Sequence, residues 1–555
     1  MNVRQIHHWH VVAAVATLGT IFGLHGAMAA QAGQGGSEEG VQVLTRGPVH
    51  EAFAETVTFD PAPGMTVPKA PPAAIEEVPP GQRSEGANVA WIPGYWAWDG
   101  ERSDFLWVSG IWRDLPPGRQ WVPGYWGKFE QRFQWTSGYW ADAKVTEVQY
   151  LSEPPTTVEA GPNIAAPSQN DTWLPGCWLW QGDRYAWRPG YWAAVQPDWD
   201  WIPAHYVYAA RGYVFVDGYW DYSIARRGVL FAPVYFDAAL YSVPGFSYSP
   251  TTVINPAVFA NHLFLRPQYQ HYYFGDYYAA SYQAAGFYPS YSYNIGGHGY
   301  DPIFAHERWQ HRQDGQWEQR VVDDFRNRRN HEEARPPHTW AAQKELDTRS
   351  VQSKENAAVM AAPLAQLTKV TSGALRFQPV DASERRQFSQ HAQAIQQFRE
   401  QREKLENNTA GGPAGTLAKE LAPARVPLPR SPIMAKPVAE LGKQRVPPRM
   451  HEVPKPDLTV EAKPRVARST ERPQPHTVNR LPLDTAQPRP QPKVERPESK
   501  PQPRTERPEP QPRTERPEPQ PRPQPKADGP APRQAADTPS AGPNQEKHAE
   551  KGRSK

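Results

Sequence analysis

Between residues 91 and 222 apolar positions alternate with polar or small ones at period two, and most of them are aromatic. Phe105 and Trp107, Phe133 and Trp135, Tyr185 and Trp187, Trp199 and Trp201, and Tyr213 and Phe215 are such pairs. The alternation resumes in Trp96 and Trp98, Trp178 and Trp180, Tyr206 and Tyr208, and Trp220 and Tyr222. Aromatic residues at period two predict strands with one packed face. Asp99-Gly100, Pro116-Pro117-Gly118, Gly182-Asp183, Pro197-Asp198 and Arg211-Gly212 fall between the runs and supply turn chemistry. The pattern predicts a mainly β fold: an antiparallel meander closing as a sheet, a sandwich or a barrel-like form.

Within this region one unit is written eight times. Six copies are complete: Trp91, Gly94 and Trp96; Trp107, Gly110 and Trp112; Trp121, Gly124 and Trp126; Trp135, Gly138 and Trp140; Trp173, Gly176 and Trp178; and Trp187, Gly190 and Trp192. The last two, WIPAHY at 201 and FVDGYW at 215, are degenerate. Starts at 107, 121 and 135, and again at 173, 187, 201 and 215, are fourteen residues apart, so the unit is structural. The two Trp of a unit are five apart, which puts them on opposite faces of a regular strand. One extra residue at the Pro-Gly step restores them to one face, as a β-bulge does. A bent strand per unit is the favoured reading, and two very short strands around a tight Pro-Gly break is the rival. In either, the repeated Gly marks a special backbone angle or a close approach that a side chain would obstruct.

The recurrent Trp-any-any-Gly-any-Trp unit resembles the WXXGXW (YXWGXW) repeat family of exported bacterial proteins. The resemblance covers about a quarter of the chain, through the six complete copies named above. It implies export and a repeat module, and no catalytic residues.

The remaining chain changes character several times. Residues 1–29 read as a signal peptide, with Arg4, an apolar stretch from Val11 to Leu24 and Ala27-Met28-Ala29 as the cleavage site. Its apolar span is too short for a permanent membrane helix, so no transmembrane span is expected after cleavage. Residues 30–87 are rich in Pro, Gly and Ala and read as a flexible arm. The aromatic β-repeat domain covers 88–311, with repeats at 91–144 and 173–222 and a Tyr-rich extension at 223–311. Residues 312–410 form a charged, partly helical region. There Asp381 with Glu384 caps a helix to about Glu406, with Phe388, Ile395, Phe398 and Leu405 on one stripe and polar His391 and Arg402 interrupting it. Residues 411–555 are Pro-rich, repeat PQPRTERPE at 501 and 510, and read as a disordered tail serving as a spacer or tether.

Composition sharpens this picture. Seventeen of the 21 Trp lie between 91 and 220. Each aromatic side chain buries about 150–250 Å², worth roughly 4–6 kcal/mol as an upper bound at about 25 cal/mol per Å². Cys177 is the only cysteine, so cohesion must come from this packing and not from internal disulfides. A formal net charge of +3 on 555 residues indicates neither a nucleic-acid partner nor a polybasic membrane patch.

The repeated residues include no acid, base, nucleophile or metal ligand, so no catalytic residue, metal or cofactor is assigned. His306-Glu307 with His311 spaces its histidines by five, not the four that share a helical face. Asp198, Asp200, Asp217 and Asp221 lie among the aromatics without fixed separation, and turn and edge roles account for them. Tyr95, Tyr125, Tyr139, Tyr191 and Tyr219, if they occupy the face opposite the Trp, would form a ladder for stacking an extended glycan. The sequence points to an exported, non-enzymatic cell-envelope protein, periplasmic, cell-surface or extracellular, that interacts with wall or envelope components. A glycan-binding module is the alternative, and a wall-polysaccharide hydrolase stands behind it; the oligomeric state is left open.

Overall fold

The computed structural model describes residues 40–86, 88–353, 359–369, 376–407, 423–441 and 446–460. The signal peptide and the PQPRTERPE repeats lie outside the described residues.

The eight units pair into four hairpins spanning 89–114, 119–142, 171–194 and 199–222. In the first, Val89–Ile92 pairs with Ile111–Asp114, and Tyr95–Asp99 pairs with Asp104–Val108, all antiparallel. The register sets Trp91 opposite Trp112 and Trp96 opposite Trp107. The other hairpins repeat it: Trp121 faces Trp140 and Trp126 faces Trp135; Trp173 faces Trp192 and Trp178 faces Trp187. In the fourth, Trp201 faces Trp220 and Tyr206 faces Phe215. Each cross-strand pair brings its rings to within about van der Waals reach, with centroids at 5.1 Å for Trp91 and Trp112 and 5.2 Å for Trp96 and Trp107.

Each unit is therefore two short strands separated by its x-Gly step, the rival to the single bent strand. Residues directly opposite in an antiparallel pair share a face, so Trp91 lies with Trp112 and Trp96 with Trp107, and the Glu77 carboxylate at the break accepts from Trp107 Nε1. The two indole pairs pack in separate clusters, Trp91 and Trp112 with Val229 and Phe231, and Trp96 and Trp107 with Phe105 and Val234. Among the described residues strand outweighs helix, in many small, largely antiparallel sheets of two to four strands, followed by a helical region; none of these sheets closes as a barrel. One pair, Ser247–Tyr248 with Glu76–Glu77, is parallel.

Residues 40–86 are not a free arm. Val41–Val43 pairs with Val234–Phe236, Thr66–Val67 extends the second hairpin, and Gln82–Ser84 pairs with Phe377–Pro379. Val49, Ala52, Phe53 and Val57 are buried in the main core with Ile111, Trp121 and Trp140. A Pro-rich stretch can thread this way because it covers sheet edges whose backbone groups need partners.

The region after the repeats also joins this core. Leu265, Tyr272 and Phe274 from the Tyr-rich extension are fully or almost fully buried in it. The helix Ala382–Asn407 starts with the expected cap: Asp381 accepts from Ser383 N and Glu384 N at 2.7 and 2.8 Å, and Asp381 N donates to Glu384 Oε2 at 3.3 Å. Its apolar stripe docks on the hairpins, with Ile395 and Phe398 buried and Phe388 edge-on to Trp112 at 4.9 Å. Nor is all of 411–555 a free tail. Ala424–Pro427 pairs with Glu147–Leu151, and Leu428, Ile433 and Ala435 are core residues.

Candidate functional site

The break in each unit creates a chemical problem. The ladder stops at Pro93-Gly94 opposite Ser109-Gly110, leaving backbone N–H groups buried without cross-strand acceptors. A single carboxylate resolves it. Glu77 accepts from Gly94 N at 2.7 Å, from Gly110 N at 2.9 and 3.0 Å, and from Trp107 Nε1 at 3.1 Å. Glu51 serves the second hairpin, accepting from Trp135 Nε1 and Gly138 N, both at 3.0 Å. Glu159 serves the third, accepting from Trp173 Nε1 at 3.0 Å and from Gly176 N.

These contacts explain the Trp-any-any-Gly spacing. In all three cases the indole N–H and the glycine N–H come from the same unit, and both grip one acid. The special backbone angle entertained for the repeated glycine is corrected by the structure: Gly94, Gly110, Gly124, Gly138, Gly176, Gly190 and Gly218 all lie outside the positive-φ region. Close approach is what requires them. A Cβ on Gly110 would stand 2.4 Å from Glu77 Oε2 and 2.5 Å from the Trp91 ring. The relation is reciprocal, since a Cβ on Gly94 would stand 2.7 Å from Trp107 Nε1. The first Trp of each unit in a hairpin lies over the glycine of the other.

Gly124 and Gly190 show that the six complete units do not all play one part. The acids of their hairpins take the N–H of the sister glycines, Gly138 and Gly176. Gly124 and Gly190 share with them only the room made for an indole. A Cβ on Gly124 would stand 2.6 Å from the Trp135 ring and 2.8 Å from Glu51 Oε2, and one on Gly190 would stand 2.4 Å from the Trp173 ring. Sequence identity between the units hid this division, because the acid that creates it lies outside them.

The degenerate fourth hairpin lacks the grip, for a visible reason. Phe215 has no indole N–H, and Gly218 N is taken at 2.8 Å by the neighbouring Asp217 side chain. Its acid, Glu55, instead accepts from Tyr219 OH at 2.9 Å and pairs with His205 Nε2 at 3.1 Å.

The carbonyls at the breaks find buried donors. Arg402 Nη1 donates to Pro123 O at 2.8 Å and to Ser137 O at 2.9 Å, while its Nε donates to Glu406 Oε1 at 2.9 Å. Glu406 also accepts from Tyr125 OH and Tyr150 OH, at 2.7 and 3.0 Å. Arg402, which interrupts the helix stripe in sequence, is therefore the residue that locks the helix onto the second hairpin. His50 Nε2 contacts Pro93 O at 3.2 Å in the first.

Burial governs the electrostatics. It pushes the Glu77 carboxyl up to about 7 and raises Glu51, in both cases against the N–H donors. It also holds the His50 imidazole down near 3 and lifts the Cys177 thiol to about 12, which makes that thiol inert.

The tyrosines expected to face solvent do not form a ladder. Tyr95, Tyr125, Tyr139 and Tyr219 are each 5% exposed or less, and only Tyr191 is half-buried. These tyrosines are covered by residues 40–86, by the helix and by neighbouring hairpins. There they serve the framework: Tyr95 OH accepts from Glu51 N and meets His271, and the Tyr139 ring lies against the Arg402 guanidinium.

The acids among the aromatics are also spoken for. Asp221 takes both oxygens to Arg113 Nη2 at 2.6 Å and lies 3.3 Å from Arg227 Nε. Asp200 accepts from Arg227 at 2.7 Å and pairs with His306 Nδ1 at 2.9 Å. Asp198 faces solvent beside Arg226. Among the described residues no group of three or more His, Cys, Asp and Glu is placed to hold a metal ion.

The clamping acids were invisible to a reading of the repeat alone, because none belongs to it. A signal existed: Glu77 and Glu159 each stand fourteen residues ahead of the first Trp of a half-array, Trp91 and Trp173.

The family model for the WXXGXW repeat, described as two copies, matches residues 86–113, 172–193 and 197–221, which are the first, third and fourth hairpins. The second hairpin has the same architecture outside the matched residues. No curated protein and no solved structure matches the chain. Repeat spacing, paired indoles and the family model agree that the chain carries WXXGXW repeats at these residues.

Proposed function

We propose that this chain is an exported, non-enzymatic protein of the cell envelope whose repeat domain is a scaffold for interaction. The observation that carries the reading is the fate of the repeat's chemistry. Three glutamates from outside the repeat are consumed holding its Trp and Gly N–H groups, and its buried Asp200 and Asp221 are consumed by arginines. Groups so engaged serve cohesion. The export half of the reading rests on the N-terminal pattern of Arg4, an apolar run and Ala27-Met28-Ala29. No helix among the described residues is long and apolar enough to cross a membrane.

Cell fractionation with intact-mass measurement tests the proposal. The expected product is a chain lacking about its first 29 residues, recovered with envelope material. It should leave labelled wall polysaccharide intact. Cytoplasmic recovery of the uncleaved chain, or turnover abolished by a single Asp substitution, would overturn it.

A further inference from the structure

Residues 446–460, Val-Pro-Pro-Arg-Met-His-Glu-Val-Pro-Lys-Pro-Asp-Leu-Thr-Val, lie across the third and fourth hairpins. Four prolines fix this segment in extended backbone. Arg449 O accepts the indole N–H of Trp220 at 3.2 Å, and Asp457 N donates to Trp187 O at 2.6 Å. Between these ties the His451 ring sits against Trp201 and Trp220, with centroids at 4.8 and 4.7 Å. It closes a small cavity floored by Asp200, Tyr300 and His306. An indole N–H given to a peptide carbonyl, beside an aromatic slot filled by a ring, is how aromatic grooves hold extended Pro-rich peptides.

The seating is light. By contrast, residues 423–441 add a strand, bury Leu428, Ile433 and Ala435, and tie Ser431 Oγ to Trp121 O at 2.6 Å. In 446–460 only Val460 packs against the core, while the other large apolar residues are exposed: Val446, Met450, Val453 and Leu458 are four of the eleven exposed large hydrophobics among the described residues. Fifteen residues that leave so much apolar surface in water invite a second layer.

We propose that the aromatic face of Trp187, Trp201 and Trp220 is a docking surface for residues 446–460 of a second copy of this chain, the segment seated in the same chain being exchangeable with it. Exchange lets the outward apolar side chains meet their counterparts between the two copies, while each face keeps the same contacts. The inference deepens the interaction reading above, but fails separately: loss of self-association would leave location and lack of turnover untouched.

Sedimentation velocity on the full chain tests it. The wild type should show concentration-dependent dimers that excess synthetic peptide 446–460 dissolves and a scrambled peptide does not. His451→Ala, which weakens the segment, and Trp220→Phe, which removes the indole donor, should each weaken dimerisation at least tenfold. Mixed together they should recover heterodimers through the one intact face and intact segment. Labelled peptide should bind the His451→Ala chain more tightly than the wild type, because its competitor is weakened. Monomers at every concentration without peptide binding, or dimers indifferent to the peptide and to both substitutions, would overturn the proposal.

Discussion

Glu159 stands fourteen residues ahead of Trp173 in the chain and accepts its indole N–H at 3.0 Å. Glu77 has the same lead on Trp91 but grips Trp107 of the facing unit. The acid thus belongs to the hairpin as a whole, and the energetics of the domain follow from it.

Replacing Glu77 by Ala leaves three buried N–H donors, those of Gly94, Gly110 and Trp107, without an acceptor. Unsatisfied buried donors cost about 1–3 kcal/mol each before relaxation. Glu77→Ala should therefore destabilise the domain by about 3 kcal/mol or more at neutral pH, measured as a lower urea midpoint. A shift under about 0.5 kcal/mol, the range of ordinary surface substitutions, would show that water replaces the carboxylate.

Glycine substitutions should separate sharply by site. A Cβ at Gly110 meets Glu77 and the Trp91 ring, whereas one at Gly315 meets nothing within 4 Å. Gly110→Ala should cost about 3 kcal/mol, as overpacking does. Gly315→Ala should be neutral or stabilise by about 0.4–1 kcal/mol through the unfolded chain. Thermal melting of the two variants checks the contrast, and equal effects would remove close approach as the reason for the repeated glycine.

The pH dependence carries a sign. Burial raises Glu77 from an unfolded value near 4.5 to about 7, so between these values the folded protein holds a proton that the unfolded chain has released. Its contribution is full below pH 4.5, declines as pH rises towards 7, and is flat above. The stability difference between wild type and Glu77→Gln should therefore shrink from pH 5 to 7, by at most about 1.4 kcal/mol per pH unit. A difference that grows over that range would mean the three N–H donors outweigh burial.

Arg402 and Glu406 form a fully buried pair. Removing one partner strands the other charge and should cost about 3–5 kcal/mol, while replacing both with apolar residues of similar volume should cost less than the two single changes together. Arg402→Met, Glu406→Met and the double variant, compared by urea unfolding, give the coupling. Simple additivity would show that Arg402 acts only through Pro123 O and Ser137 O.

Much of the fold was legible because period-two aromatics and a fixed repeat report directly on strand faces. The antiparallel strands and the Asp381 cap follow from local pattern, whereas the break at Pro-Gly was only the rival to a bent strand. What local pattern cannot carry is the partner of a break. Glu51 and Glu77 lie in a Pro-rich stretch with no periodicity, and their role appears only when that stretch crosses Trp135 and Trp107. Arg402 misled for the same reason: a charge in an apolar stripe reads as an interruption until two carbonyls are placed against it. The tyrosines were misassigned because alternation identifies a second face without saying what covers it.

Because the acids that complete the first two hairpins come from residues 51 and 77, before the first Trp at 91, the aromatic array is not portable by itself. A fragment trimmed to the recognisable motif would carry its indoles and lack their counter-groups. Expression boundaries, chimeras and grafts of such a module should be drawn around the acid and its hairpin together, so the heritable unit is larger than the signature that reveals it.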